Sequence, residues 1–268
     1  MKGDLSVWVD GVGLWAPGLP DWAAFRAWLR GEQAKSELAR PQADTLPPNE
    51  RRRAPESVLL AVAAAGQAVA ASGLAAADLP CVFASAHGDQ SITDYMCATL
   101  ADAPAELSPI RFHNSVHNAP AGYWTIATGC HAGSSAVSAG RQHTFGASLL
   151  EAATLAHGED KPVLLAVYDT AGSGPLTEMT AATMAFATAF VLSPRPTARS
   201  IARYDIAVRA ATMPATAPDN AELRTWMIAN PSAAGIALVE ALALGRAPRC
   251  ELPAAGGLVL EIGGEMLA

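Results

Sequence analysis

The chain has 268 residues, long enough to bury a substantial core and short enough to form one domain. Hydrophobic residues make up 51% and charged residues 16%, a balance suited to a helix-covered sheet or a large subunit interface rather than to a freely soluble monomer. A net charge of -7 and a pI near 5.3, with Arg51-Arg52-Arg53 as the one basic run, argue against a nucleic-acid partner.

Met1-Lys2-Gly3-Asp4 carries an acidic residue and no apolar core, unlike a secretory signal. Leu5 to Val12, rich in β-branched and aromatic residues, reads as a buried strand ending in a glycine turn. Asp21 is placed to cap a helix to about Arg30, with Trp22, Phe25, Trp28 and Leu29 on one face. Prolines make Pro41 to Pro48 a loop, after which the arginine run reads as a solvated face before a helix. That helix spans about Pro55 to Ser72 and stops at Gly73; its many alanines favour close packing against a sheet or a second helix.

Val82 to Ser85 is a short strand, and Ser91 to Leu100 a helix with Ile92, Tyr95, Met96 and Thr99 along one side. Past the loop at Pro104 to Pro109, a helix from about Ser115 to Thr128 leads to a turn at Gly129 to Gly133. A strand at Ser134 to Ser138 meets the elbow Ala139-Gly140-Arg141-Gln142, followed by a helix to about Ala156. Lys161 to Tyr168 and Ala187 to Leu192 are further strands, and the alternation predicts an α/β sheet covered on both faces. Beyond roughly Met213 the pattern weakens to a helix from Pro231 to about Leu244 and a strand from Gly257 to Ile262.

Chemistry-bearing residues are few. The six histidines end at His157. Cys81, Cys97, Cys130 and Cys250 show neither C-x-x-C spacing nor the density of a disulfide scaffold, and they read as reduced, mostly buried thiols of a cytoplasmic protein. No run reaches the eighteen or so apolar residues of a membrane span. In the string from Phe112 to Gly122, a helix would set His113 and His117 one turn apart, as paired histidines stand in zinc sites. Asn114 occupies the place of the glutamate such a motif needs and no third ligand is evident, so no metal is expected. Both rings are expected to bond to backbone or to a partner subunit. Ser85-Ala86-His87-Gly88-Asp89 brings serine, histidine and carboxylate together only in sequence, which is no evidence for a triad, and it reads as a structural loop at a strand end. There is no G-x-S-x-G elbow, G-x-G-x-x-G or P-loop, and no cofactor is expected.

In combination, Gly11-Val12-Gly13, Phe83-Ala84-Ser85-Ala86-His87-Gly88-Asp89, the stretch Ser108 to Gly122, the elbow near Gln142 and Ala189-Phe190-Val191-Leu192 resemble the ketoacyl-synthase-like N-terminal domain of chain-length-factor proteins. The resemblance runs from about Leu5 to Arg209. It implies an α/β, thiolase-like (ketoacyl synthase) fold with an intact first half and a truncated second half. A single domain over 1–268 would then divide into a first half at 1–212 and, at 213–268, a shortened remnant of the half that holds both catalytic histidines in the enzymes.

Ile126-Ala127-Thr128-Gly129-Cys130 is superficially similar to the Ala-Thr-Ala-Cys of ketoacyl synthases, but Cys130 falls in the turn before the strand, and in those enzymes the thiol stands at the elbow after it. Matching Asn118 and Gly122 to the family's preceding helix puts the nucleophile position at Arg141, or at Gln142 with one residue of slack. Chain-length factors have glutamine there. Neither side chain forms a thioester, and the thiolate that condensation requires is missing.

The resemblance therefore implies a non-catalytic chain-length-factor-like subunit, of the short kind found with aryl polyene or xanthomonadin-type pigments. Its partner would be a catalytic ketoacyl synthase in a heterodimer, with the acyl carrier protein reached mainly through that partner; the arginine run is a second possible anionic contact. His113, Asn114, His117 and Asn118 are implied at the subunit interface beside the acyl tunnel, and Tyr95, Met96 and Thr99 at the tunnel floor. The alternative is an active ketoacyl-synthase-like acyltransferase or a malonyl-carrier-protein decarboxylase, which glutamine at the elbow permits but which lacks histidines to stabilise an enolate.

Overall fold

The structure, a computed structural model, describes residues 5–37, 40–211 and 214–267. The Met1 to Asp4 segment and the division drawn at 212/213 lie outside them. The opening strand β1 (Leu5–Trp15) runs three residues past the glycine turn expected to end it, and α1 (Trp22–Leu29) starts where Asp21 accepts the Ala24 N–H at 2.7 Å. Pro48 begins a short helix, α2 (Pro48–Arg53), so the arginine run sits on a helix rather than ahead of one. Proline at a first helical position forgoes only an N–H that has no helical partner there.

The long helix α3 (Glu56–Ser72) ends at Gly73 in the left-handed region, φ 71°. It crosses β1 so closely that a Cβ on Gly11 would lie 2.0 Å from the Ala68 carbonyl oxygen and one on Gly13 1.9 Å from that of Ala64. Glycine on the strand and alanine on the helix are the two sides of one contact.

The chain continues through β2 (Cys81–Ala84), α4 (Gln90–Asp102), α5 (Pro109–His113), α6 (Ala119–Thr128), β3 (Ser134–Val137), α7 (Thr144–Glu159), β4 (Val163–Asp169), α8 (Leu176–Thr180) and β5 (Phe186–Ser193). Then follow β6 (Ala202–Ala210), α9 (Ala221–Ala229), α10 (Ile236–Ala243), β7 (Cys250–Ala255) and β8 (Leu258–Met266). Among the described residues the strands form one eight-stranded sheet, in the order β3-β2-β4-β5-β1-β6-β8-β7. β3, β2 and β4 are parallel, and every pairing from β4·β5 to β7·β8 is antiparallel. Leu59, Ala64 and Trp124 belong to the core under α3 and α6, while Phe25, Phe145, Leu149 and Val239 belong to the core on the opposite face, under α1, α7 and α10. This is a mixed, thiolase-like sheet between helical layers.

The C-terminal portion adds antiparallel strands to that sheet and packs α10 against its α7 face. β3 closes the opposite edge. Its residues are exposed or half-buried, and only β2 pairs with it among the described residues. Among the described residues no helix is long and apolar enough to cross a membrane.

The helix expected from Ser115 begins instead at Ala119, with Pro120 in its first turn, and α5 stops at His113. His113 and His117 are therefore separated by non-helical backbone and do not share a helix face.

Candidate functional site

The elbow is a turn in which Gly140 takes φ 81°. Thr144 fastens it, donating its hydroxyl to the Gly140 carbonyl at 2.8 Å and accepting the Ala139 N–H at 3.1 Å. The Arg141 guanidinium donates to the carbonyls of Thr180 and Ile228, and to that of Ala181 at 3.4 Å, which ties the elbow to the end of α8 and the end of α9. Gln142 is exposed, and its side chain and that of Arg141 line a cleft of ≈ 460 Å³ with Met227, Ile228 and Pro231. Among the described residues no cysteine lines this cleft. Cys130 is buried below the turn after α6, its thiol donating to the Leu79 carbonyl at 3.4 Å, and burial pushes the Cys81 and Cys250 thiols up to about 12.

Beneath the elbow's sheet end lies a carboxylate that motif reading passes over. Asp169 closes β4 and is fully buried; Ser85 Oγ donates to it at 2.7 Å, Ser232 Oγ at 2.6 Å, and the N–H groups of Ala86 and His87 at 3.2 and 3.0 Å. Desolvation raises its pKa, and these hydrogen bonds oppose the rise. Ser85 also accepts the Gly88 N–H at 2.7 Å, so its hydroxyl is enclosed and committed to structure. The ring Nε2 of His87 is buried without a hydrogen-bond partner among the described residues. The only sequence signal for Asp169 is an acid at the end of an otherwise apolar strand, beside the C-terminal ends of parallel strands where α/β ligands and polar loops gather.

The histidine string is divided between inside and outside. His117 turns inward, its Nε2 2.9 Å from the Ser85 carbonyl, and Asn114 is 6% exposed, accepting the Tyr123 hydroxyl at 3.2 Å. His113 and Asn118 are exposed and line a cleft of ≈ 430 Å³ with Val116, Gly122 and Ile126. Val116 and Ile126 are 52% and 85% exposed, and Phe112 nearby in the chain is 58% exposed. α6 packs beside β3, so the apolar cleft and the open strand edge stand on neighbouring elements.

On α4, Ile92 is buried and Tyr95, Met96 and Thr99 are half-buried. Tyr95 lines a third hollow, ≈ 760 Å³, together with Ser91, Asp94, Arg111 and Asn114. The candidate site residues thus fall at three places: the elbow, the α5–α6 surface and α4, where Tyr95 lines the hollow and Met96 and Thr99 stand outside its lining.

The model of the family described as beta-ketoacyl synthase, N-terminal domain, matches residues 25–240. No curated protein matches the chain in sequence. Among solved structures, the chain is similar to one from the complex of the ketosynthase ApeO with its chain length factor ApeC from Xenorhabdus doucetiae, at 21% identity and TM-score 0.71, covering 96% of this chain and 99% of that one. It is also similar to a chain of AntDE:AntF, a type II PKS acyl-carrier protein in complex with its ketosynthase bound to the hexaketide (16% identity, TM-score 0.63, 78% and 70% covered). A third similar structure is the ishigamide ketosynthase/chain length factor (16% identity, TM-score 0.58, 76% and 67% covered).

Proposed function

The chain belongs to the family of the beta-ketoacyl synthase N-terminal domain, and we propose that within it this protein is a non-catalytic, chain-length-factor-like subunit. It pairs with a catalytic ketosynthase and shapes the tunnel that receives the growing acyl chain. The observation that carries this reading is the elbow, where Arg141 is committed to three backbone carbonyls and the exposed Gln142 offers an amide where condensation needs a thiolate. Gln142 is the residue we assign to the replaced nucleophile position.

The partner-facing surface in this reading is the α5–α6 cleft together with the β3 edge. Exposed Ile126, Val116 and Phe112 are apolar, and a strand edge without charge or proline invites pairing with another chain. His113, Asn114, His117 and Asn118 belong to that surface or support it, and Tyr95, Met96 and Thr99 face the tunnel. One sheet runs through both portions of the chain, which supports treating residues 1–268 as a single domain. Products of the aryl polyene class, cytoplasmic residence and carrier-protein contact mainly through the partner complete the proposal.

Co-expression with a catalytic ketosynthase, followed by purification and condensation assays, tests it. The pair is expected to co-purify and to elongate carrier-bound acyl groups. The isolated chain is expected to take no acyl group from a carrier protein and to release no carbon dioxide from the malonyl form. An acyl adduct on Cys130 in the intact mass would overturn the assignment.

A further inference from the structure

Among the described residues Asp169 is held by hydroxyls and backbone N–H groups, and these hydrogen bonds oppose the desolvation of its carboxylate. A carboxylate is costly to bury without a cation, and an apolar side chain of similar volume generally serves stability as well or better. What the acid supplies instead is a fixed relation among the groups that donate to it.

Those groups come from distant parts of the chain. Ser85, Ala86 and His87 form the loop after β2, and Ser232 lies in the turn between α9 and α10. Asn230 reinforces the junction: its Nδ2 donates to the Asp169 carbonyl at 3.0 Å and its Oδ1 accepts the Ser232 N–H at 2.8 Å. On the other side, the Ser85 carbonyl meets His117 Nε2 at 2.9 Å, and the Tyr168 hydroxyl donates to the His117 carbonyl at 3.4 Å. One path of bonds therefore runs from Ser232 through Asp169 and Ser85 to His117.

We infer that Asp169 is a positioning residue through which the C-terminal portion of the chain fixes the His117 segment, and with it the face offered to a ketosynthase. The last clause rests on the partnership proposed above. The C-terminal portion is then more than a cover for the sheet, because it sets the geometry of a surface built by the first half.

Hydrogen–deuterium exchange of the isolated full chain tests the positioning, and ketosynthase affinity tests its consequence. Ser232→Ala and Asp169→Asn are compared with Leu252→Ala, a core truncation in β7 that is 1% exposed and outside the network. Both network variants are expected to speed exchange in peptides covering 85–89 and 114–119 by about tenfold, the scale of one lost charge-assisted hydrogen bond, and to weaken ketosynthase binding by a similar factor. Leu252→Ala is expected to lower the melting temperature without selective exchange at 114–119. Unchanged exchange there in Ser232→Ala, or an equal rise in Leu252→Ala, overturns the inference. Should Asp169→Asn fail to fold, Ser232→Ala decides. If the wild-type chain binds no ketosynthase while the exchange pattern is as expected, the positioning role stands and the partnership falls.

Discussion

The Arg111 guanidinium lies 4.0 Å from the centroid of the Tyr95 ring, and the Ser108 N–H donates to the Tyr95 hydroxyl at 3.1 Å. Tyr95 is thus clasped from outside by α5 and its N-terminal cap, and it is half-buried rather than sealed in the core. Tyr95→Ala removes a stacked cation and one hydrogen bond, so the expected loss is about 1–3 kcal/mol, less than for a fully buried aromatic. With Tyr95 at the tunnel floor, the reconstituted pair should make products longer by one or more two-carbon units while remaining associated. Mass spectrometry of products beside a melting curve reads both effects. A less stable complex with products of unchanged length removes Tyr95 from the floor.

Exposure separates the residues of the histidine string as probes of docking. Ile126 is 85% exposed, so Ile126→Asp should change the isolated chain's stability by no more than about 0.5 kcal/mol. A charge buried without a partner in the complex should weaken pairing by about 100-fold or more, roughly 3 kcal/mol. Asn118→Asp, also on the surface, should act in the same direction. Asn114→Asp should behave differently, because Asn114 is buried against Tyr123 and the new charge would destabilise the subunit itself. Melting curves and co-purification distinguish the cases, and full retention of the partner by both surface variants would place the docking face elsewhere.

Much of the sheet was legible because its signals are local. Asp21 before an apolar helix face, Gly73 after an alanine run and the apolar β4 and β5 each announce an element without help from elsewhere. The α5–α6 break was not legible: Pro120 fits a helix's first turn as well as a helix boundary, and the histidine spacing imitates one continuous helix. β6 carried a period-2 signal, with Ala202, Tyr204 and Ile206 buried and Arg203 and Asp205 outward, but its charges masked it. β7 and α9 are short and depend on packing against the rest of the sheet and the turn at Pro231–Gly235. At the site, the missing elbow thiol could be seen in the sequence. The Asp169 junction could not, since its partners lie more than sixty residues away on each side.

The cysteines give a pH test of burial. Desolvation disfavours thiolates, and it holds Cys81 and Cys250 near 12, so at pH 8 each is about one ten-thousandth ionised. Cys130 is buried as well, whereas Cys97 on α4 is exposed. Iodoacetamide at pH 8 should therefore add one group to the native chain, at Cys97, and four after denaturation. As pH rises toward 10 the ionised fraction of Cys81 and Cys250 grows but stays near one in a hundred, so native labelling should remain close to one group while the fold persists. Rapid labelling of Cys130 in native protein would contradict both its burial and the position argued for the elbow.

Gly122 offers a prediction in which stability and binding move in opposite directions. It lies within α6, and a Cβ placed there would meet nothing within 4 Å, so Gly122→Ala should stabilise the isolated chain by about 0.5–1 kcal/mol through helix propensity. By contrast, Gly13→Ala would drive a methyl group into the Ala64 carbonyl and should prevent folding. Yet Gly122 lines the apolar cleft with Val116 and Ile126, and a methyl group there occupies space that a closely packed partner would need. Overpacking at an interface of that kind should cost about 1–3 kcal/mol, a loss of affinity of roughly 5- to 150-fold. A subunit that melts higher and binds more weakly cannot be explained by general damage to the fold. A subunit that melts higher and binds its ketosynthase as tightly as before would show that the cleft lies outside the docking face.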